Sequence, residues 1–431
     1  MTDFPQTTPP SETPGQLGPF SVFDKLNQAL GKTFSSLRNR NYRLFFIGQT
    51  ISNTGNWLTN VALTLLVLKL THNSGIAIGF LAACQYGPIL LLSAWAGAIA
   101  DRSDKRKMLL LTQALEMAQS TGLAIFAFSP HPSLSGLYAL ALCGGTLLAF
   151  DNPLRRSFVT EMVPREDLPN AVVLYSMIVS VSSVLGPALA GLLVVTLGYG
   201  WSFTFDALSY LVVLVCLIRM RTSELYRQPP KVRAKGEIRA GLRYVLSVPT
   251  LWISFIMFAV IRTLTNNLNV TLPLFVTGAL HSTGGIFTIL FSVTSLGGVV
   301  GALLVAHRNL VGIRHVLLAA TMLGFATLLL GVVPGVRTAA PAAFLIGMAS
   351  IFYMTTTTSI IQVEARPDMH GRLLSLQTVI LGGGLAIGGP LLGWVADTWG
   401  ARCLMVFGGA ACLATVAFGI FILRRQGAKP A

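Results

Sequence analysis

Five carboxylates fall inside or beside long apolar runs: Glu116, Asp151, Glu161, Asp206 and Glu364. A carboxylate in a partly dry site is driven toward its neutral form, and a neighbouring guanidinium drives it back. An acid balanced between those two influences can carry a proton. Asp151 has such a neighbour, since Arg155 lies four residues on, one helical turn away. Proton coupling through Asp151 and Arg155 is the expectation, and a fixed ion pair is the alternative. Glu116 is next in line. Glu161 and Glu364 look structural, and Asp206 looks like a cap or a snorkelling acid near the end of its run. A second kind of chemistry is polar lining. Gln49, Asn53, Asn56 and Asn60 recur so that, at 100° per residue, they fall within about 60° of one another on a helix. Arg262, Asn266 and Asn269 make a similar stripe. A cation in mid-membrane needs a carboxylate, an anionic ligand group or water. The two stripes are expected to wall one aqueous, substrate-binding cavity; interhelical hydrogen bonding is the alternative.

Other chemistries find no support. Cys84, Cys143, Cys216, Cys403 and Cys412 all lie in apolar runs and read as packing thiols. No HExxH, CxxC or GxSxG string occurs, so neither a metal site nor catalytic residues are expected. Gly31-Lys32-Thr33 is a fragment of a phosphate loop, but no strand precedes it, so no ATP site and no cofactor are expected.

The elements that must position these residues follow from composition. Of 431 residues, 53% are hydrophobic and 11% charged, with a mean hydropathy of +0.67. A soluble domain carries about 25% charged residues, so a polytopic membrane protein is indicated. Twelve apolar segments are predicted as spanning helices: 43–69, 75–100, 108–129, 134–157, 168–196, 201–219, 250–277, 284–306, 315–334, 340–362, 372–396 and 402–423. Residues 1–42 form an N-terminal tail, with an interfacial helix over 20–34 suggested by Phe20, Phe23, Leu26, Leu30 and Phe34. A polar, basic loop, 220–249, separates a six-helix bundle over 43–219 from a second over 250–423, and 424–431 is a tail.

Charge sets the expected orientation. With the N-terminus inside, 27 of the 31 Lys and Arg residues fall in inner segments, three fall outside, and Arg262 lies within a span. That asymmetry predicts cytoplasmic termini, and it accounts for the net charge of +15 without nucleic acid. The halves also resemble each other. His72-Asn73-Ser74-Gly75 matches His281-Ser282-Thr283-Gly284, Asn60 falls on Asn269, and Gly186-Pro187 matches Gly389-Pro390. An internal repeat with a midplane site between its halves is a transporter architecture.

The loop after the second span reads Gly97-Ala-Ile-Ala-Asp101-Arg102-Ser-Asp104-Lys105-Arg106-Lys107. It resembles the signature Gly-x-Leu-Ala-Asp-Arg-x-Gly-Arg-Lys of the major facilitator superfamily. Ile99 stands for Leu and Asp104 for the second Gly, and the latter departure puts the loop conformation in question. The stretches RNRNYRLFFIGQTIS and DNPLRRSFVTEMVP are similar to the branch that holds the enterobactin exporter and multidrug exporters. The resemblance covers about residues 38–425. It implies an all-α fold of twelve transmembrane helices in two six-helix pseudo-repeats, with the fourth helix lining the cavity. It also implies a conformational latch of Gly97, Asp101, Arg102 and Arg106, with Arg372 as partner across the halves. Gly186, Pro187 and Gly191 resemble an exporter motif that lets helices pack closely and bend.

The expectation is therefore a secondary active transporter, not an enzyme, exporting small amphipathic molecules by alternating access and proton antiport. Drugs or siderophore-like metabolites are the expected substrates. The alternatives are a lipid or lysophospholipid flippase and a non-transporting membrane receptor or assembly protein. A monomer in the cell membrane is expected, meeting lipid, protons and a small molecule but neither nucleic acid nor ATP.

Overall fold

The computed structural model describes residues 35–226, 237–265, 267–308, 312–366 and 369–425. The expected interfacial helix over 20–34 and Asn266 lie outside the described residues, as does the side chain of Asp101. Long helices make up nearly all of the described chain. The first six are α1 (Arg40–Leu70), α2 (Gly75–Arg102), α3 (Lys105–Phe128), α4 (Leu134–Met162), α5 (Leu168–Thr196) and α6 (Tyr199–Ile218). A surface helix α7 (Glu237–Ser247) precedes α8 (Pro249–Leu264) and α9 (Leu268–Leu274), which runs into a wide turn at Phe275–Ala279. Then come α10 (Gly284–Arg308), α11 (Ile313–Val332), α12 (Val336–Glu364), α13 (His370–Trp399) and α14 (Ala401–Arg425). Among the described residues, ten helical stretches are long and apolar enough to span a membrane, α8, α9 and the turn counting as one. The other two long helices, α1 and α3, complete the twelve. They are the two that carry the polar stripe from Gln49 to Asn60 and the charged start Lys105-Arg106-Lys107 with Gln113, Glu116 and Gln119.

The repeat read from sequence is also a repeat of backbone conformation. His72 and His281 both take left-handed φ, 51° and 47°, in the turns that open the second helix of each half. Gly198 and Gly400, at φ 92° and 89°, open the last helix of each half. Local sequence starts the helices: Ser74, Asp104 and Ser133 each accept from a backbone N–H of the first turn. Asp104 thereby explains its departure from the signature. It caps α3 through Lys107 N at 3.1 Å, with φ −66°, so no glycine conformation is needed there.

Two expectations need correction. The loop 220–249 is not all loop, because α7 lies within it. Its apolar side packs through Val245 with Leu251, Phe255, Ile361 and Leu373, while arginines 239 and 243 disguise it as a polar stretch. The seventh span is not continuous. It breaks after Leu264 and resumes at Leu268. Thr265, Asn266 and Asn267 offer side-chain hydrogen bonds that compete with helix, and Pro273 cannot donate back to position 269. Neighbours satisfy the break: Thr265 Oγ1 donates to Gly408 O at 2.7 Å, and Asn267 Nδ2 to Leu385 O at 3.3 Å. Irregular backbone at membrane depth requires such protein partners.

The basic loops Arg102–Lys105 and Arg219–Arg221 mark one end of the bundle, and the turns at Asn73 and His281 mark the other, which is near-neutral by comparison, with Lys69, Arg337, Arg402 and Asp397, and is called the neutral end below. The halves meet along α2 with α13 and along α5 with α10. Lipid gives helices no hydrophobic reason to associate, so close packing of small residues must do it. Gly75 and Gly79 of α2 lie against the backbone of Gly393 and Gly389 of α13, where a Cβ would collide. Gly191 packs on Thr288 and Gly284 on Leu65. These approaches all lie toward the neutral end. There the Asp397 carboxylate, at the end of α13, accepts from Gly75 N at 2.6 Å, Ile76 N at 2.9 Å and Ser74 Oγ at 3.1 Å. A carboxylate from one half thus caps the positive end of a helix in the other.

Candidate functional site

Helix geometry brings Asp151 and Arg155 together on the inner face of α4, where both are at least 95% buried. Arg155 Nε pairs with Asp151. Its Nη1 donates to Gln49 Oε1 of α1 at 2.5 Å, and its Nη2 lies 3.5 Å from Glu116 Oε2 of α3. Gln113 Nε2 sits between the two acids, donating to Glu116 and to Asp151 at 2.8 Å each, and Thr112 Oγ1 donates to Asp151 at 3.3 Å. Three helices therefore hold two carboxylates around one guanidinium. The coupling candidates form one constellation, not a pair with a reserve. Gln49 belongs to it as well, so the stripe on α1 does not wall a single cavity.

The rest of that stripe splits. Asn53 donates to the Gln49 carbonyl within its own helix at 2.8 Å. Asn56 and Asn60 line a small pocket inside the first half, of about 90 Å³, with Glu116, Gln119, Asp206 and Tyr86. That is room for a few waters. Asp206 faces this pocket and is not a snorkelling acid. It is 99% buried and accepts from Thr59 Oγ1 at 2.6 Å, Ser120 Oγ at 2.8 Å and Ser209 Oγ at 3.4 Å. Gly55 makes room for it, since a Cβ there would come within 2.5 Å of Asp206 Oδ1. One bond ties the pocket to the other half: Asn269 Nδ2 donates to Tyr86 Oη at 2.7 Å.

A larger cavity, of about 330 Å³, lies between the halves and is where Arg262 and Asn269 belong. Its walls come from α1 (Trp57), α5 (Ser180, Ser183), α10 (Phe291, Thr294, Ser295) and α12 (Ser350, Met354). Trp57 and Phe291 approach across the interface with centroids 5.3 Å apart. Gly186 of the exporter-like motif lies against Trp57 of its own half, where a Cβ would clash, and Gly191 lies against Thr288 of α10, so Gly191 serves the contact between halves. Pro187 is buried within α5. Arg262 sits in the last turn of α8, just before the break. The helix-end carbonyls stabilise a cation by about 0.3–1 kcal/mol, whereas placing one at mid-span costs about 2.5–3.5 kcal/mol. The helix end alone does not account for it.

The basic-end loop is tied within its own half. Lys105 pairs with Glu161, and Arg106 donates to Leu217 O at 2.8 Å and Ile218 O at 3.1 Å, closing the end of α6. Arg102 is exposed and Gly97 buried. Arg372 lies under α7, next to Gly241. Glu364 accepts from Thr250, repeating the helix-end role of Glu161. Sequence reasoning missed Trp57, Ser350 and the α5 serines. Their only signal is that they sit near small residues or amides on helices whose facing partners a single sequence does not reveal. Among the described residues no group of three or more His, Cys, Asp or Glu could hold a metal.

Two six-helix halves meeting around a central cavity define a membrane-transporter architecture by class. The comparisons with known proteins agree. Residues 31–429 match the family described as transmembrane secretion effector, of the major facilitator superfamily, and the chain belongs to that family. It is similar to the staphyloferrin A transporter of Staphylococcus aureus, 26% identical over 397 residues, covering 90% of this chain and 97% of that protein. It is also similar to the enterobactin exporter of Shigella boydii, 27% identical over 376 residues, covering 85% and 87%. Among solved structures, a POT family transporter superposes with a TM-score of 0.72 at 13% identity, over 90% of this chain and 97% of that one. A bacterial homologue of the lysosomal transporter Spinster does so at 0.69 and 16%, over 89% and 97%. The protein is a transporter of small molecules and not an enzyme.

Proposed function

We propose that the protein is a proton-coupled exporter of small amphipathic molecules, working as a monomer in the cell membrane with both termini cytoplasmic. The observation that carries this is the buried constellation of Asp151, Glu116 and Arg155. Two ionised carboxylates and one guanidinium leave a net negative charge in a dry site, which is costly. A proton balances it. Opening the cavity on either side changes the hydration of the cluster, and with it the tendency to hold that proton. One proton moving inward yields about 2.3 kcal/mol per 100 mV, enough for more than a tenfold substrate gradient at about 1.4 kcal/mol per decade.

In this reading the six-helix units over 43–219 and 250–423 rock about the central cavity. The packed neutral end is the outer gate, shut in this structure, and the basic end faces the cytoplasm. Asp101, with Arg102, Arg106 and Arg372, latches the basic end in the opposite state. The confinement of Arg106 and Arg372 to their own halves here is compatible with that. The names of the two relatives support a metabolite of the siderophore kind as cargo.

The test uses inverted membrane vesicles and the best amphipathic substrate from a screened panel. An imposed proton gradient is expected to drive substrate accumulation, and a protonophore to abolish it. Asp151→Asn keeps the shape and removes the titrating group. It is expected to lose uphill transport while keeping downhill exchange. Uphill transport at equal rate and equal expression in Asp151→Asn would remove the cluster from the coupling step.

A further inference from the structure

The central cavity also carries information about its occupant. Among the residues that line it, Arg262 is the one ionisable side chain, and no carboxylate faces it. The acids of the first half are turned away, around Arg155 and into the small pocket beyond Tyr86. A cationic guest would meet a cation and no counter-charge. Two further observations point to a bound group at this place. Ser350 is 94% buried, lines the cavity, and its Oγ has no hydrogen-bond partner among the described residues. A buried hydroxyl left that way is costly unless a ligand meets it. The Arg262 stem is also held from behind. The backbone of α13 is pressed against it at Gly384, where a Cβ would lie 2.9 Å from Arg262 Cγ. The stem is thus fixed by packing, and a guanidinium lining the cavity is chemically suited to a planar, bidentate anion.

The remaining walls mix uncharged polar side chains, Asn269 and the hydroxyls of α5 and α10, with an apolar and aromatic surface that includes Trp57, Phe291, Val299, Ile351 and Met354. The volume of about 330 Å³ falls at the small end of the usual range for small-molecule sites. We infer that this cavity is a binding site for an amphipathic organic anion. A carboxylate or phenolate-type head sits on Arg262 with Ser350 donating to it, and an aromatic or acyl body lies against Trp57 and Phe291. This rests on the transporter reading above and fixes the sign of charge that the site selects.

The test is equilibrium binding to the purified full-length protein in nanodiscs of zwitterionic lipid, which does not depend on coupling. The probe is radiolabelled 2-naphthoate, with 2-naphthamide and 2-naphthylmethylammonium as neutral and cationic competitors of the same shape. Saturable 2-naphthoate binding is expected, displaced by unlabelled anion at least tenfold better than by the cation. Arg262→Ala is expected to weaken it tenfold or more, Arg262→Lys to restore part of the loss, and Ser350→Ala to weaken it severalfold. Size-exclusion behaviour checks that each variant is folded, and Arg262→Lys preserves the test if Arg262→Ala is not. Competition by the cation equal to or better than that by the anion, saturable binding of none of the three, or unchanged affinity in Arg262→Ala or Arg262→Lys would overturn the inference. Anion binding without proton-driven transport would instead overturn the exporter reading and leave the site standing.

Discussion

At the scale of single residues, the first half invests its polar groups in one connected interior. Asp151, Arg155, Glu116, Gln113 and Gln49 bond to one another, and Asp206 draws on three hydroxyls a little further along. Buried polar networks of this kind are stabilising only while every member is paired. Asp206→Ala leaves Thr59, Ser120 and Ser209 without their shared acceptor, at a cost of about 1–3 kcal/mol per group left unsatisfied. It is expected to lower the thermal midpoint of the detergent-solubilised protein clearly, whereas Asp206→Asn, which keeps an acceptor oxygen, loses less. Equal midpoints for all three proteins would show that Asp206 is not a structural centre. Sequence position alone misplaced this residue. Distance from the end of a helix gives depth in the membrane but not which side of the helix meets protein. Asp151 was legible because its partner is on the same helix, four residues away. Glu116 and Gln49 join it only across helices, and that adjacency has no local signature.

At the scale of elements, the twelve helices and their repeat were legible because apolar length, loop charge and recurring tetrapeptides are local properties. The break in the seventh span was not. Arg262, Asn266 and Asn269 fit a helical stripe in sequence, so polar residues on either side of the break read as evidence for a continuous helix. The surface helix α7 was hidden for the opposite reason, since its arginines outweigh an apolar side of Val245 and its neighbours. The α2–α13 contact shows how elements from the two halves are joined. Glycine backbones touch, and the exposed Asp397 carboxylate holds the start of α2 by three hydrogen bonds. Asp397→Asn keeps the shape and removes the charge that a helix N-terminus favours. It is expected to raise the labelling of a cysteine at Ser183 by an impermeant thiol reagent from outside, about twofold to fivefold, in a background free of other cysteines. Unchanged labelling would mean that glycine packing alone keeps the neutral end shut.

At the scale of the molecule, charge asymmetry and conformation make one picture. The basic end is expected to face the anionic inner leaflet, which puts the closed neutral end outside. Single cysteines at 130–133 and 278–283 are expected to react with an impermeant reagent on intact cells, and those at 103–106 to react only after permeabilisation. The reverse pattern would invert the orientation and turn the proposed exporter into an importer in this state.

The central claim is that substrate and proton exchange through the Asp151 cluster. The most direct measurement is proton movement itself, read with a pH dye when substrate is added to the purified, weakly buffered protein. The account predicts proton release on substrate binding in the unmutated protein and its loss in Asp151→Asn. Release that persists in Asp151→Asn would assign coupling to another acid, with Glu116 next to be replaced. Substrate binding with no proton movement in the unmutated protein would contradict proton antiport altogether.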